Sequence, residues 1–345
     1  MPIRGRLAIA VSLKSVAQAN ILQRHGARFP TLGAAIELGV TVEKLVKYRK
    51  TRERGRARVQ SNRQILLSNQ SRDIWAFLDD WNYKLGIDDL VPYGEHDRIN
   101  TAPQGVWLER FATPIARQLD DQSPQIGLIA QDIVNMAHLC AFETLAFETQ
   151  SPFCQLYTDD EWRQIEYHGD LGKYYGFSYG NPLSRAQGVG YVNELLSRLT
   201  GNLSFVTNDT TQVNQTLDRD PRTFPLDRML NVDFSHDNQL LPIMTLLGLF
   251  NDDAPLSPTK PNPDRQFVVS KIVSFAARLV VERIECTDEI NSRTTTYVRT
   301  LINDAAQSLQ GKCSGQEMCL LKDFIESLEE SVARASQEYR RCFDD

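Results

Sequence analysis

Val16-Ala-Gln-Ala-Asn-Ile-Leu-Gln23 reads as a short strand, and it runs directly into Arg24-His25-Gly26-Ala27-Arg28-Phe29-Pro30. Two guanidiniums flank one imidazole in this stretch, with a glycine between them and a proline closing the turn. Arginine presents planar, paired donors that match phosphate oxygens. Glycine lets the backbone come close to a ligand. Thr31 is placed to cap a helix over residues 32–45, whose N-terminal amides would face the same anion. An imidazole in that field is suited to attack phosphorus. Arg24, His25 and Arg28 are the first candidate site residues. The bland alternative is a core histidine beside two surface arginines.

Working outward, residues 230–234 read as a second strand that ends in Asp233-Phe-Ser-His236-Asp237-Asn238. A His-Asp pair by itself is only a turn. It gains meaning beside the first motif, because cleaving a phosphomonoester expels an alkoxide and needs a proton donor. Asp237 serves if its carboxyl is protonated at the working pH, and His236 can donate to a phosphate oxygen. Elsewhere, helical spacing predicts helices over residues 65–81, 108–119, 126–145, 160–175, 189–199, 239–250 and 320–339. One or two strands are expected within 267–284 and another over 295–302. Residues 202–225 are polar and turn-rich. Strands at both ends with helices between them point to an α/β domain, residues 15–63 and 225–345, interrupted by an α-rich insert at 64–224.

The 345 residues, 41% hydrophobic and 24% charged, exclude a disordered or fibrous chain. A net charge of −6 argues against nucleic acid as a partner. The charge is uneven: residues 44–63 hold nine basic residues and one acid, Glu53. That run is a solvated helix face or loop, or else a patch that draws in an anionic substrate. No stretch is long and apolar enough to span a bilayer. Arg4 and Arg6 before the apolar residues 7–13 fit a secretory signal, and equally the start of a buried strand. Sequons at Asn69, Asn202, Asn208 and Asn214, three of them within one polar segment, lean toward a secreted glycoprotein. The six cysteines lack metal-ligand spacing, so a zinc site is a poor reading. His96, His138 and His168 have no motif partner and read as structural or surface residues.

Further segments follow in order: Asn82-Tyr-Lys-Leu-Gly-Ile-Asp-Asp-Leu90, Pro92-Tyr-Gly-Glu95, Ser151-Pro-Phe-Cys-Gln-Leu-Tyr157, Lys173-Tyr-Tyr-Gly176, Gly180-Asn-Pro-Leu183 and Gln187-Gly-Val-Gly-Tyr-Val-Asn-Glu-Leu195. Together with the two motifs above, they resemble the histidine acid phosphatases, and most closely the fungal phytases, over residues 19–342 with gaps. Phosphoglycerate mutases share the Arg-His-Gly, but their usual continuation lacks Arg28 and Pro30. The resemblance implies a mixed central sheet flanked by helices, with an α-helical insert. It implies a secreted, monomeric phosphomonoesterase acting on phytate or a similar small ester, with an acidic working pH and no metal or cofactor. His25 would form a phosphohistidine, and Arg24, Arg28 and His236 would hold the phosphoryl oxygens. Asp237 would protonate the leaving alcohol, Lys173 would contact outer phosphates, and Asn238 would sit beside the proton donor.

The chain also departs from that pattern. The family's further phosphate-binding arginine lies in a strand segment not found between Ala102 and Val106, so the central sheet is expected to be incomplete. Arg98 and Arg110 lie nearby in sequence, with nothing to place either in the site. The resemblance pairs Cys140 with Cys154 and Cys313 with Cys319, leaving Cys286 and Cys342 as orphans. Phe177-Ser-Tyr179 stands where phytases often carry other residues. The alternative reading is a catalytically impaired or truncated homologue, or a faulty gene model, that at most binds phosphate or inositol phosphates.

Overall fold

A computed structural model describes residues 12–25, 30–60, 74–82, 101–122, 126–211, 213–288 and 292–340. Arg28, Asn69, His96, Arg98, Cys342, the N-terminal run up to residue 11 and the segment 83–95 lie outside the described residues.

The sheet is mixed and open, with strand order β2-β1-β3-β4-β5 and β6 paired to β4. Its strands are β1 (Ser12–Arg24), β2 (Leu230–Ser235), β3 (Arg278–Thr287), β4 (Thr294–Ile302), β5 (Ala305–Ala306) and β6 (Met318–Leu320). β1 and β2 run parallel, in register from Ala19↔Leu230 to Arg24↔Ser235. That register brings their C-terminal ends together, so His25 and His236 leave neighbouring strands at the same level. β1 pairs antiparallel with β3, with register shifts between Leu13 and Ser15 and between Val16 and Gln18. β3 buries Leu279 and Val281 on one face and Ile284 and Cys286 on the other.

β2 is different. It stands at the end of the strand order and, among the described residues, pairs only with β1. Leu230, Val232 and Phe234 form an alternating apolar row that is 58%, 45% and 73% exposed. Period-2 alternation puts all three on one face.

The helices are α1 (Leu32–Gln60), α2 (Ala102–Asp121), α3 (Ala130–Phe147), α4 (Asp159–Phe177), α5 (Ser184–Thr200), α6 (Ser204–Thr207), α7 (Gln215–Asp218), α8 (Asp237–Leu246), α9 (Val269–Ile272) and α10 (Leu321–Arg340). No described helix is long and apolar enough to cross a membrane. The chain folds as two compact units. One comprises residues 1–26, 173–256 and 262–345, and the other 27–172 and 257–261.

In the first unit the sheet is joined by α5, α8 and α10, with α8 and α10 both packed on α5. Gly188 makes the α5–α8 approach possible: a Cβ there would lie 2.8 Å from the carbonyl carbon of Pro242. Cys313–Cys319 clips the turn before β6, and Cys286 is a buried free thiol.

The second unit is built on aromatic packing. Trp75, Trp81 and Phe153 are buried, with Trp81 edge-on to Phe153 at 5.4 Å, and Cys140–Cys154 ties α3 to the following turn. α1 runs through the basic segment to Gln60, because Lys and Arg are good helix formers. Part of this segment is not a plain solvated face. Lys44 pairs with buried Asp132 at 2.5 Å, Arg52 with Asp79 at 3.4 Å, and Arg49 donates to the carbonyl of Trp81.

One local expectation needs correction. The described part of 65–81 is a 3₁₀ turn over Ala76–Asp79 rather than a helix. The one or two strands expected within 267–284 come out as one, β3, from Arg278 onward. Phe267, Val268, Ile272 and Val273 are buried around the single turn of α9 instead, an apolar run without the alternation a half-exposed strand requires.

Candidate active site

β1 delivers Arg24 at its last position and His25 just beyond it. His25 donates its backbone N–H to the carbonyl of Ser235 at 3.1 Å, which fixes the two strand ends against each other. Its carbonyl accepts from Ala276 N at 3.2 Å. β2 delivers His236, whose extended backbone makes it the N-cap residue of α8, and Asp237 then opens that helix. A carboxylate in a first turn faces the positive end of the helix dipole. The His25 and His236 rings stand edge to face with centroids 5.1 Å apart.

Lys173, on α4, reaches the same place. Its ammonium donates to Asp237 Oδ2 at 2.5 Å and to Asn238 Oδ1, and lies 5.2 Å from the centre of the Phe177 ring. Arg24 approaches the other carboxylate oxygen, with Nη2 3.6 Å from Asp237 Oδ1. Arg24 Nη1 donates to the carbonyl of Val273, and its guanidinium lies 4.9 Å from the Phe275 ring centre. Six of the seven residues picked from the sequence (Arg24, His25, Lys173, His236, Asp237 and Asn238) therefore lie in the first unit, at the C-terminal end of the β1/β2 pair. Arg28 lies outside the described residues.

The charge state is not that of a ready acid. Burial pushes the Asp237 carboxyl up, but the charge and hydrogen bond of Lys173 and the charge of Arg24 outweigh this and hold it below its ordinary value. Asp237 thus sits as a carboxylate between two cations.

A second set of residues holds β2 in place. Arg198 of α5 donates to Asp233 Oδ2 at 2.6 Å, and the Tyr191 hydroxyl donates to the same oxygen at 3.3 Å. Asp233 lies three residues before His236, so this latch anchors the strand that carries half the site. Glu194, 3.7 Å from Arg198, is pushed up to about 7, first by burial and then by the Asp218 charge, against the pull of Arg198. The 187–195 segment and Asp233 both stand out in the sequence, but their pairing does not. Asn303, at a positive φ of 49°, accepts from Arg278 N and donates to the Lys271 carbonyl. It thereby pins the start of β3 to α9, on either side of the loop that Arg24 contacts.

The sequence model of the histidine phosphatase superfamily, branch 2, matches residues 96–303, more than half of the chain. The chain belongs to this superfamily. The match takes in Lys173 and His236-Asp237-Asn238 and begins after Arg24-His25. This histidine phosphatase is similar over nearly its whole length to curated phytases. It is 30% identical to Phytase A of Aspergillus fumigatus over 94% of this chain and 84% of the relative. It is 41% identical to Phytase A of Aspergillus terreus over 68% of this chain and 50% of that relative. The first of these alignments runs over 418 residues, against 345 in this chain, so within the aligned span the relative carries residues that have no counterpart here. Among solved structures, the phytase from D. castellii matches with a TM-score of 0.65 at 19% identity, covering 94% of this chain and 81% of that one, which shows a shared fold.

Proposed function

We propose that this histidine phosphatase is a phytase-like phosphomonoesterase that works through a phosphohistidine. His25 attacks the phosphorus in line and the P–O bond to the alcohol breaks. Asp237 supplies the proton to the leaving oxygen, and water then releases phosphate from His25. Arg24, Arg28 and His236 hold the phosphoryl oxygens, so most of the work is electrostatic. Lys173 meets further phosphates of a polyphosphorylated ring such as phytate, and Asn238 orients the proton donor. One observation supports this above all: the parallel β1/β2 register sets His25 against His236 and puts Arg24, Asp237 and Lys173 within one cluster of contacts. The three described sequon asparagines, Asn202, Asn208 and Asn214, are not buried, which supports a secreted glycoprotein.

The test is turnover of p-nitrophenyl phosphate and of phytate by the intact chain and by His25→Ala, with rapid acid-free quenching to trap a phosphorylated residue. The variant is expected to lose all turnover and the trapped label. Full activity in His25→Ala would refute the mechanism. The length mismatch with the relative favours a second reading, a homologue that binds phosphate without hydrolysing it. A folded wild-type chain that binds phosphate yet turns over neither ester would select that reading.

A further inference from the structure

We propose that Lys173 and Arg24 act as an electrostatic gate on Asp237, so that the proton donor is created by the arrival of the substrate phosphate. The inference rests on the reading of the site given above and adds how it is regulated. The two Asp237 oxygens are divided between two cations: Lys173 Nζ at 2.5 Å from Oδ2 and Arg24 Nη2 at 3.6 Å from Oδ1. Both cations come from other elements, Lys173 from α4 and Arg24 from β1. Asn238, on Asp237's own helix, is held by the same Lys173 ammonium. Among the described residues, the imidazoles of His25 and His236 also stand in this cluster.

A phosphate dianion seated against His25 carries more charge than one carboxylate and offers more acceptor oxygens. It competes for both cations and at the same time brings like charge toward Asp237. Loss of paired cations and gain of a nearby anion each favour the neutral carboxyl. Asp237 therefore takes one proton from solvent as phosphate binds. It gives that proton to the alcohol oxygen when the P–O bond breaks and becomes a carboxylate again. It can then accept a proton from the water that attacks the phosphohistidine, so its charge alternates with the chemistry. Lys173 in this scheme is a positioning residue. Its role exceeds a contact to outer phosphates, because it also sets the resting charge of the acid.

The experiment is calorimetric titration of the intact chain with inorganic sulfate, a phosphoryl mimic that holds no proton at mildly acidic pH. Buffers of different ionisation heat yield the protons taken up per sulfate bound, for wild type, Asp237→Asn and Lys173→Met. Uptake approaching one proton is expected in wild type beyond whatever Asp237→Asn shows. In Lys173→Met the uptake should shrink, with its pH midpoint moved upward, because Asp237 starts closer to its ordinary titration. The pH profile of kcat/KM with p-nitrophenyl phosphate should move upward in Lys173→Met and return in Lys173→Arg. A lysine that only contacts substrate would raise KM and leave the profile in place. Equal uptake in wild type and Asp237→Asn, or an unmoved uptake profile in Lys173→Met, overturns the gate. A folded wild-type chain that binds neither sulfate nor phosphate overturns the site itself, and the gate with it.

Discussion

Replacing Glu194 with Gln should change how stability depends on pH, and in a direction opposite to ordinary acid denaturation. Burial, reinforced by the Asp218 charge, lifts this carboxyl from 4.5 to about 7 in the folded chain. Between those values the folded state keeps a proton that the unfolded chain has released. The folded state is then the better proton binder, so stability falls as pH rises through the window, by up to about 1.4 kcal/mol per pH unit. A shift of this size corresponds to about 3 kcal/mol over the whole window. The Glu194 side chain is 24% exposed. Solvent screening trims the expected effect to about 2 kcal/mol. Gln has the same shape and no charge at any pH, so Glu194→Gln should match wild type near pH 4.5 and exceed its stability by about 2 kcal/mol near pH 8.

Urea unfolding followed by far-ultraviolet circular dichroism is the suitable assay. The four tryptophans, Trp75, Trp81, Trp107 and Trp162, all lie in the second unit, so tryptophan emission does not report on α5. Wild-type and variant curves that stay parallel from acidic to alkaline pH would refute the reasoning. So would a Glu194→Gln chain less stable than wild type near pH 8, which would mean that the 3.7 Å contact with Arg198 outweighs the burial of the carboxylate.

Three other outcomes follow from the same geometry. His168 is pushed down to about 4 by burial, with the charge of His138 adding to it, so the second unit should lose stability as pH falls from 6.5 toward 4; His168→Asn should flatten that loss in tryptophan-emission melts. Replacing Cys140 and Cys154 with Ala opens a loop of sequence separation 14. By chain entropy this should lower stability by about 3 kcal/mol, read by the same emission. Gly188→Ala forces a methyl against the Pro242 backbone, and circular dichroism melts should show a loss of about 1–3 kcal/mol.

Both strands that carry the site are legible because each ends in chemistry: β1 in Arg24-His25 and β2 in His236-Asp237. The histidine acid phosphatase reading, its open mixed sheet and two of its disulfides are all present in the structure. What stays hidden depends on contacts between segments distant in sequence. The Arg198–Asp233 latch joins residues 35 apart, and nothing in the sequence pairs them. The inward use of Lys44, Arg49 and Arg52 is invisible because a basic run on a helix has the same composition whether or not its charges find partners. β6 has three residues, too few for alternation to register. The resting charge of Asp237 is concealed for the same reason: sequence identifies a carboxylate, but the cations that hold it come from β1 and α4.

β2 gives the molecule a weak hinge in time. Among the described residues this six-residue strand pairs on one side only and its apolar row is exposed, so the Arg198–Asp233 latch is what holds it against local opening, which draws on regions of low contact and exposed backbone. His236 and Asp237 hang from its end. Partial fraying there would separate them from His25 while the helices of both units stay formed. Fraying would take the candidate site apart well below the melting temperature and reversibly, with the Arg198–Asp233 latch setting how often that happens.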